Sequence, residues 1–123
     1  MDRNWNLIRE ILLKLKEMPP EKGNLLLEDF PSDKAHEYSY HVELLMDAGL
    51  IKGRLSDEIY GTAPQDFWIS GMTWEAHELL DSIQNDTIWK KVKNRFSKEG
   101  VAMTFALVKL VALEQVKETL GMK

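Results

Sequence analysis

Tyr40-His41-Val42-Glu43-Leu44-Leu45-Met46-Asp47-Ala48-Gly49-Leu50-Ile51 is an amphipathic helix that ends at a glycine and runs straight into an apolar strand. At about 100° per residue, Tyr38, His41, Val42, Leu45 and Ala48 fall on one face of a helix over 35–48. His36, Tyr40, Glu43 and Asp47 fall on the opposite face. Gly49 stands where the left-handed geometry that closes a helix favours glycine. Leu50 to Leu55 then reads as a strand, and Ser56 to Gln65, containing Gly61 and Pro64, as a polar loop. Phe67-Trp68-Ile69-Ser70 reads as a second strand, and Thr73-Trp74-Glu75-Ala76-His77-Glu78-Leu79-Leu80 opens a second helix.

Upstream, Trp5, Ile8, Leu12 and Leu15 recur at helical spacing, with Leu7 and Ile11 on the flanks. Pro19-Pro20 stops that helix at Met18, because a residue before proline is pushed out of the helical region. Leu25-Leu26-Leu27 is expected to be an edge strand, and Pro31-Ser32-Asp33 a turn that also caps a helix start near Lys34. Downstream, Thr73 caps a helix over 73–85 whose inward side is Ala76, Leu79, Leu80 and Ile83. Glu75 and Glu78 lie near its positive end. Asp86 or Thr87 caps a further helix to about Lys98, with Ile88, Trp89, Val92 and Phe96 inward. Gly100 breaks the chain, and a last helix opens at Met103 or is capped by Thr104, running to Leu120 and closing at Gly121.

Helix, strand, polar loop, strand, helix is the order of a winged helix, a small fold used mostly for binding. The expected class is α+β, mostly α: a winged-helix-like domain over 1–85 with two additional C-terminal helices over 86–123. Those two helices are packed on the domain or form a dimer interface.

The bulk numbers narrow the function. The 123 residues suit one small domain with a helical extension, and 44% apolar with 29% charged residues is ordinary for a globular protein. A net charge of −4 counts against strong non-specific nucleic-acid binding, which calls for a basic excess. No cysteine is present, which removes disulfides, thiol nucleophiles and cysteine-ligated zinc together. No signal peptide is visible at Met1-Asp2-Arg3-Asn4-Trp5, and the apolar run from Phe105 to Leu113 is broken by Lys109 and too short to span a bilayer. A cytoplasmic location without membrane contact is expected.

Two phrases carry a resemblance. Tyr40-His41-x-x-Leu44-Leu45-x-x-Ala48-Gly49-Leu50-Ile51 and Thr73-Trp74-Glu75-x-His77-Glu78-Leu79-Leu80-Asp81, in this order of elements, resemble domain of unknown function 2513. That family consists of small phage and prophage proteins. The likeness covers nearly the whole chain, including Trp89 and the closing Leu120-Gly121. It implies a winged-helix-like fold and a mobile-element setting, and it supplies no activity.

The chemistry-bearing residues point away from catalysis. A helix that reads DNA offers basic or amide side chains to base edges, whereas the outward face of 35–48 carries Glu43 and Asp47, which repel phosphate. Lys90, Lys91, Lys93 and Lys98, with Asn94 and the marginal Arg95, form a better surface for phosphate, although a solvated face that keeps the helix soluble is the favoured reading of them. Lys52 and Arg54 add to it only if the two regions are adjacent.

His36 and His41 are five apart, so their imidazoles diverge, unlike the i, i+4 pair of H-E-x-x-H. His41 is expected in the core with one satisfied nitrogen. His77 and Asp81 have i, i+4 spacing but no third ligand, and a hydrogen bond between them on the helix surface is expected. Glycine-loop and G-x-S-x-G signatures are missing, and the Asp57-Glu58 pair sits in a loop where solvation accounts for it. No catalytic, cofactor or metal residues are therefore expected.

Trp74 falls on the side of Glu78 and Asp81, opposite the apolar stripe. Either the C-terminal helices cover it, which is the expectation, or it is an exposed interface anchor. The last helix is apolar around most of its circumference, so it should be buried on several sides, with a second copy supplying what this small chain lacks. The expected function is non-enzymatic: a phage or prophage binding module that engages a protein partner or itself, with Trp74, His77 and Asp81 as the candidate surface. The alternative is a DNA-associated regulator using Lys90, Lys91, Lys93 and Lys98; a metal-dependent enzyme is the remote third.

Overall fold

The computed structural model describes residues 1–58 and 60–122; Ile59, within the expected 56–65 loop, lies outside the described residues, as does Lys123. Helix α1, Trp5–Glu17, starts where the Asn4 carboxamide oxygen accepts from the Asn6 and Leu7 amides at 2.9 and 3.3 Å. Those are two of the donors that the first helical turn leaves without an intrahelical partner. Met18 is already extended before the two prolines, at φ −62° and ψ 125°. The inward stripe of α1 is buried from Trp5 to Leu15 as its spacing predicts.

Strand β1 is only Leu25–Leu26, and two 3-10 turns, Leu27–Asp29 and Ser32–Lys34, lead to helix α2, Ala35–Asp47. Phe30, between the turns, fixes this connection. Its ring centroid is 4.6 Å from that of Tyr38 and 5.8 Å from that of Phe67, with the Lys14 ammonium 5.3 Å away. α2 buries Tyr38, His41, Val42 and Leu45. Ala48 is exposed instead, because the helix ends at Asp47 and Ala48 is its cap. Two bonds of 3.0 Å, from Leu50 N–H to Leu45 O and from Gly49 N–H to Met46 O, close it with Gly49 at φ +71°.

Strands β2, Ile51–Leu55, and β3, Phe67–Met72, complete an antiparallel sheet of order β1-β3-β2. β3 outruns the expected Phe67–Ser70 stretch, and a bulge explains why. Lys52 pairs with Gly71 but Gly53 pairs with Ile69, so Ser70 is an extra residue in the ladder. Inserting it lets Ile69 and Met72, three apart, both turn inward, which breaks the alternation that marks a strand in sequence. The chain is α+β and mostly helical.

Two compact units divide the chain, 1–77 and 78–123, with the division inside helix α3, Trp74–Ile83. In the first, α1 packs on α2 and β3, and α2 on β2. In the second, helix α4, Asp86–Glu99, packs on helix α5, Phe105–Thr119. Asn85 rather than Asp86 or Thr87 caps α4, its Oδ1 accepting from Ile88 N–H at 3.0 Å. Thr104 caps α5 through the Leu107 amide at 3.2 Å. α4 buries Trp89, Val92 and Phe96 as expected, and leaves Ile88 half-buried. α5 departs from expectation, because only Val108, Ala112 and Gln115 are buried on it. No helix among the described residues is long and apolar enough to cross a membrane.

Candidate interaction surface

Thr73 sets the start of α3. Its amide and hydroxyl both donate to the Leu50 carbonyl, at 3.0 and 3.2 Å, and its Oγ1 accepts from Ala76 N–H at 3.4 Å. One residue thus caps the helix and ties its first turn to the chain entering β2. With that phase fixed, Ala76, Leu79, Leu80 and Ile83 are fully buried, as the sequence spacing predicts. The other face of the same helix must then point outward. Trp74 lies there with 79% of its surface exposed, contrary to the expectation that the C-terminal helices cover it. His77, Glu78 and Asp81 are exposed on the same helix. Among the described residues no hydrogen bond or ion pair joins His77 to Asp81, so the expected surface bond is not made.

The basic helix is less uniform than its sequence. Lys90, Lys91, Asn94 and Lys98 are exposed on α4, whereas Lys93 is half-buried with its ammonium 5.6 Å from the Trp89 ring centroid. Arg95 pairs with Glu114 of α5 at 3.2 Å, a surface pair with both side chains about half exposed.

The outward face of α2 carries His36, Glu43 and Asp47 in solvent, with Tyr40 half-buried. The connection between β2 and β3 adds exposed Asp57, Glu58 and Asp66. There the exposed Tyr60 hydroxyl donates to the Glu58 carboxylate, which pushes the tyrosine pKa up from 10.0. The neck of this loop is closed by Ser56 N–H to Asp66 O at 2.8 Å and by Gln65 Nε2 to Ser56 O at 2.6 Å. Ser39, which the sequence did not single out, is buried beside it and donates to Gln65 O at 2.8 Å. On the outer face of the sheet, the Arg54 guanidinium stacks 5.3 Å from the ring centroid of its cross-strand partner Trp68.

His36 is exposed while His41 is buried, so the two histidines diverge as their spacing predicts. Both ring nitrogens of His41 are engaged rather than one. Nε2 accepts from Asn4 N–H at 2.7 Å, and Nδ1 lies 2.7 Å from the Glu37 carbonyl, which places the proton on Nδ1. Nearby, the Tyr38 hydroxyl donates to Glu10, and burial followed by that carboxylate raises its pKa well above the usual tyrosine range.

Among the described residues no three His, Cys, Asp or Glu side chains gather to hold a metal ion. Three pockets lined by described residues measure about 170, 150 and 270 Å³. Each is below the roughly 300–1,000 Å³ of a small-molecule site. Large apolar side chains are also exposed, among them Trp74, Leu110 and Leu113 of α5 at 54% and 48%, and Leu120 beyond it at 68%.

Residues 2–102 match the family model described as "Hypothetical protein (DUF2513)". The chain is similar to an "Uncharacterized protein" of Haemophilus influenzae (strain ATCC 51907 / DSM 11121 / KW20 / Rd), 36% identical over 122 residues. That alignment covers 98% of this chain and 100% of the relative. No solved structure matches. With one family model spanning most of the chain and a relative aligned end to end, this protein belongs to the DUF2513 family.

Proposed function

We propose that this chain is a non-enzymatic, winged-helix-like binding module of phage or prophage origin that engages a protein partner or its own copy. The exposure of Trp74 carries the proposal. A tryptophan with 79% of its surface in solvent has no packing role in the chain, and large aromatic side chains at such positions are typical anchors of protein interfaces. The order α1-β1-α2-β2-β3-α3 and the strand order β1-β3-β2 support the winged-helix likeness. The mobile-element setting rests on the resemblance of the 40–51 and 73–81 phrases, and neighbouring integrase or virion genes in the genome would support it.

Trp74→Ala is the direct test. Because the side chain is exposed, the variant should keep its unfolding free energy to within about 0.5 kcal/mol, measured by urea denaturation. It should lose at least tenfold in affinity for the partner or for self-association. A variant that unfolds readily, or that retains full association, removes Trp74 from the surface.

The second reading, a DNA-associated regulator, has one observation in its favour: Lys90, Lys91 and Lys98 stand exposed on a single helix. Against it, α2 and the β2–β3 connection both present carboxylates. Micromolar duplex binding at physiological salt that disappears in a Lys90/Lys91/Lys93 triple alanine variant would establish the regulator and overturn the interaction-only reading.

A further inference from the structure

α5 has two faces of opposite fate. Val108 and Ala112 are fully buried, while Leu110, Leu113 and, just past the helix end, Leu120 are about half exposed or more. Exposed positions on this side follow an alternating spacing of four and three, Ala106, Leu110, Leu113, Lys117 and Leu120, all apolar but Lys117. That is the a/d seam of a two-stranded coiled coil, with Leu110 and Lys117 at a and Ala106, Leu113 and Leu120 at d.

The charges beside the seam choose the occupant and its direction. Lys109 immediately precedes Leu110 and Glu114 immediately follows Leu113, the g and e positions of one heptad. In a parallel pair, g of one helix faces e of the other five residues on, so Lys109 of each copy meets Glu114 of the other. In an antiparallel pair of this register Lys109 lies beside Val116 and Glu114 beside Leu107, so neither meets an opposite charge of the other copy. Glu114 already accepts from Arg95 at 3.2 Å while remaining half exposed, so an incoming lysine extends a pair into a three-charge network. Lys117, the one polar residue in the seam, meets its own equivalent in the parallel pair, a like-charge contact that costs stability while fixing the register.

We propose that α5 pairs in parallel with α5 of a second copy through this seam, held in register by Lys109–Glu114 contacts between copies. The proposal rests on the self-association branch of the function above and names its partner and geometry. Two heptads make a short interface, so the pair is weak.

Sedimentation equilibrium up to about 200 µM should show a reversible dimer. Leu110→Asp should abolish it with an unchanged far-UV spectrum, since Leu110 is already in solvent. Lys109→Glu should weaken the dimer about threefold to tenfold, and Lys109→Gln by less, because it removes the attraction to Glu114 without adding repulsion. Because the chain has no cysteine, Leu120→Cys gives one crosslinking site per copy. In the parallel pair these sites meet and oxidise to a disulfide-linked dimer; in an antiparallel one they lie more than about 20 Å apart along the axis. A monomer at every concentration overturns the proposal and leaves the protein-partner function, tested at Trp74, standing. A dimer that Leu120→Cys does not trap overturns the parallel geometry.

Discussion

Removing the His41 imidazole would take the acceptor from the Asn4 amide, which donates to it across 37 residues of sequence. His41→Leu keeps an apolar side chain of similar bulk but offers no acceptor. Asn4 itself is exposed, so water can take over its amide, and the expected cost is the net worth of one hydrogen bond, about 0.5–1.5 kcal/mol, measured by urea denaturation. Asp29 makes a complementary case on the surface of the same unit. Its carboxylate accepts from Leu26 N–H at 2.8 Å and from the Lys22 ammonium at 3.1 Å, and these bonds hold its pKa below 3.8 against the opposing effect of burial. A carboxyl lowered on folding contributes stability above its unfolded value and loses it as pH falls through the lower folded value. Asp29→Asn should therefore be less stable than the parent at pH 7, with the difference closing below about pH 3.8, when both are melted across that range. His41 was legible as a core residue from its place on the α2 wheel. Its bond to Asn4 was not, since nothing in either local sequence reports the distance between them.

Periodic elements could be read and interrupted ones could not. The inward stripes of α1 and α3 follow directly from 3.6-residue spacing, and the Thr73 cap from its chemistry. The β3 bulge was hidden because strand reading assumes a period of two, and the extra Ser70 changes that period midway. Gly53 is the residue that permits it. A Cβ built there would overlap the Trp68 carbonyl oxygen and stand 2.9 Å from Ile69 Cα, both backbone atoms that cannot turn aside. Gly53→Ala should cost about 1–3 kcal/mol in a thermal melt, while alanine at the neighbouring Gly71, which has open space around it, should cost less. Trp74 departs from expectation where phase alone holds: its helix places it opposite the apolar stripe, and the structure leaves it there in solvent.

Across the whole chain, charge is the quantity that sequence and structure report alike. A net charge of −4 with acidic groups on α2 and the β2–β3 connection should keep duplex DNA at a dissociation constant no tighter than about 100 µM at physiological salt. Fluorescence anisotropy on a labelled duplex measures it, and tighter binding would point to the α4 lysines. The strand order has a consequence for how the molecule comes into being. β3 is central yet last of the three in the chain, and neither β1 nor β2 pairs with the other. During synthesis both wait with open edges until Phe67–Met72 leaves the ribosome, and one late segment then closes both ladders together. Translation speed between Ile51 and Met72 thus sets how long the growing chain is exposed to the wrong partner.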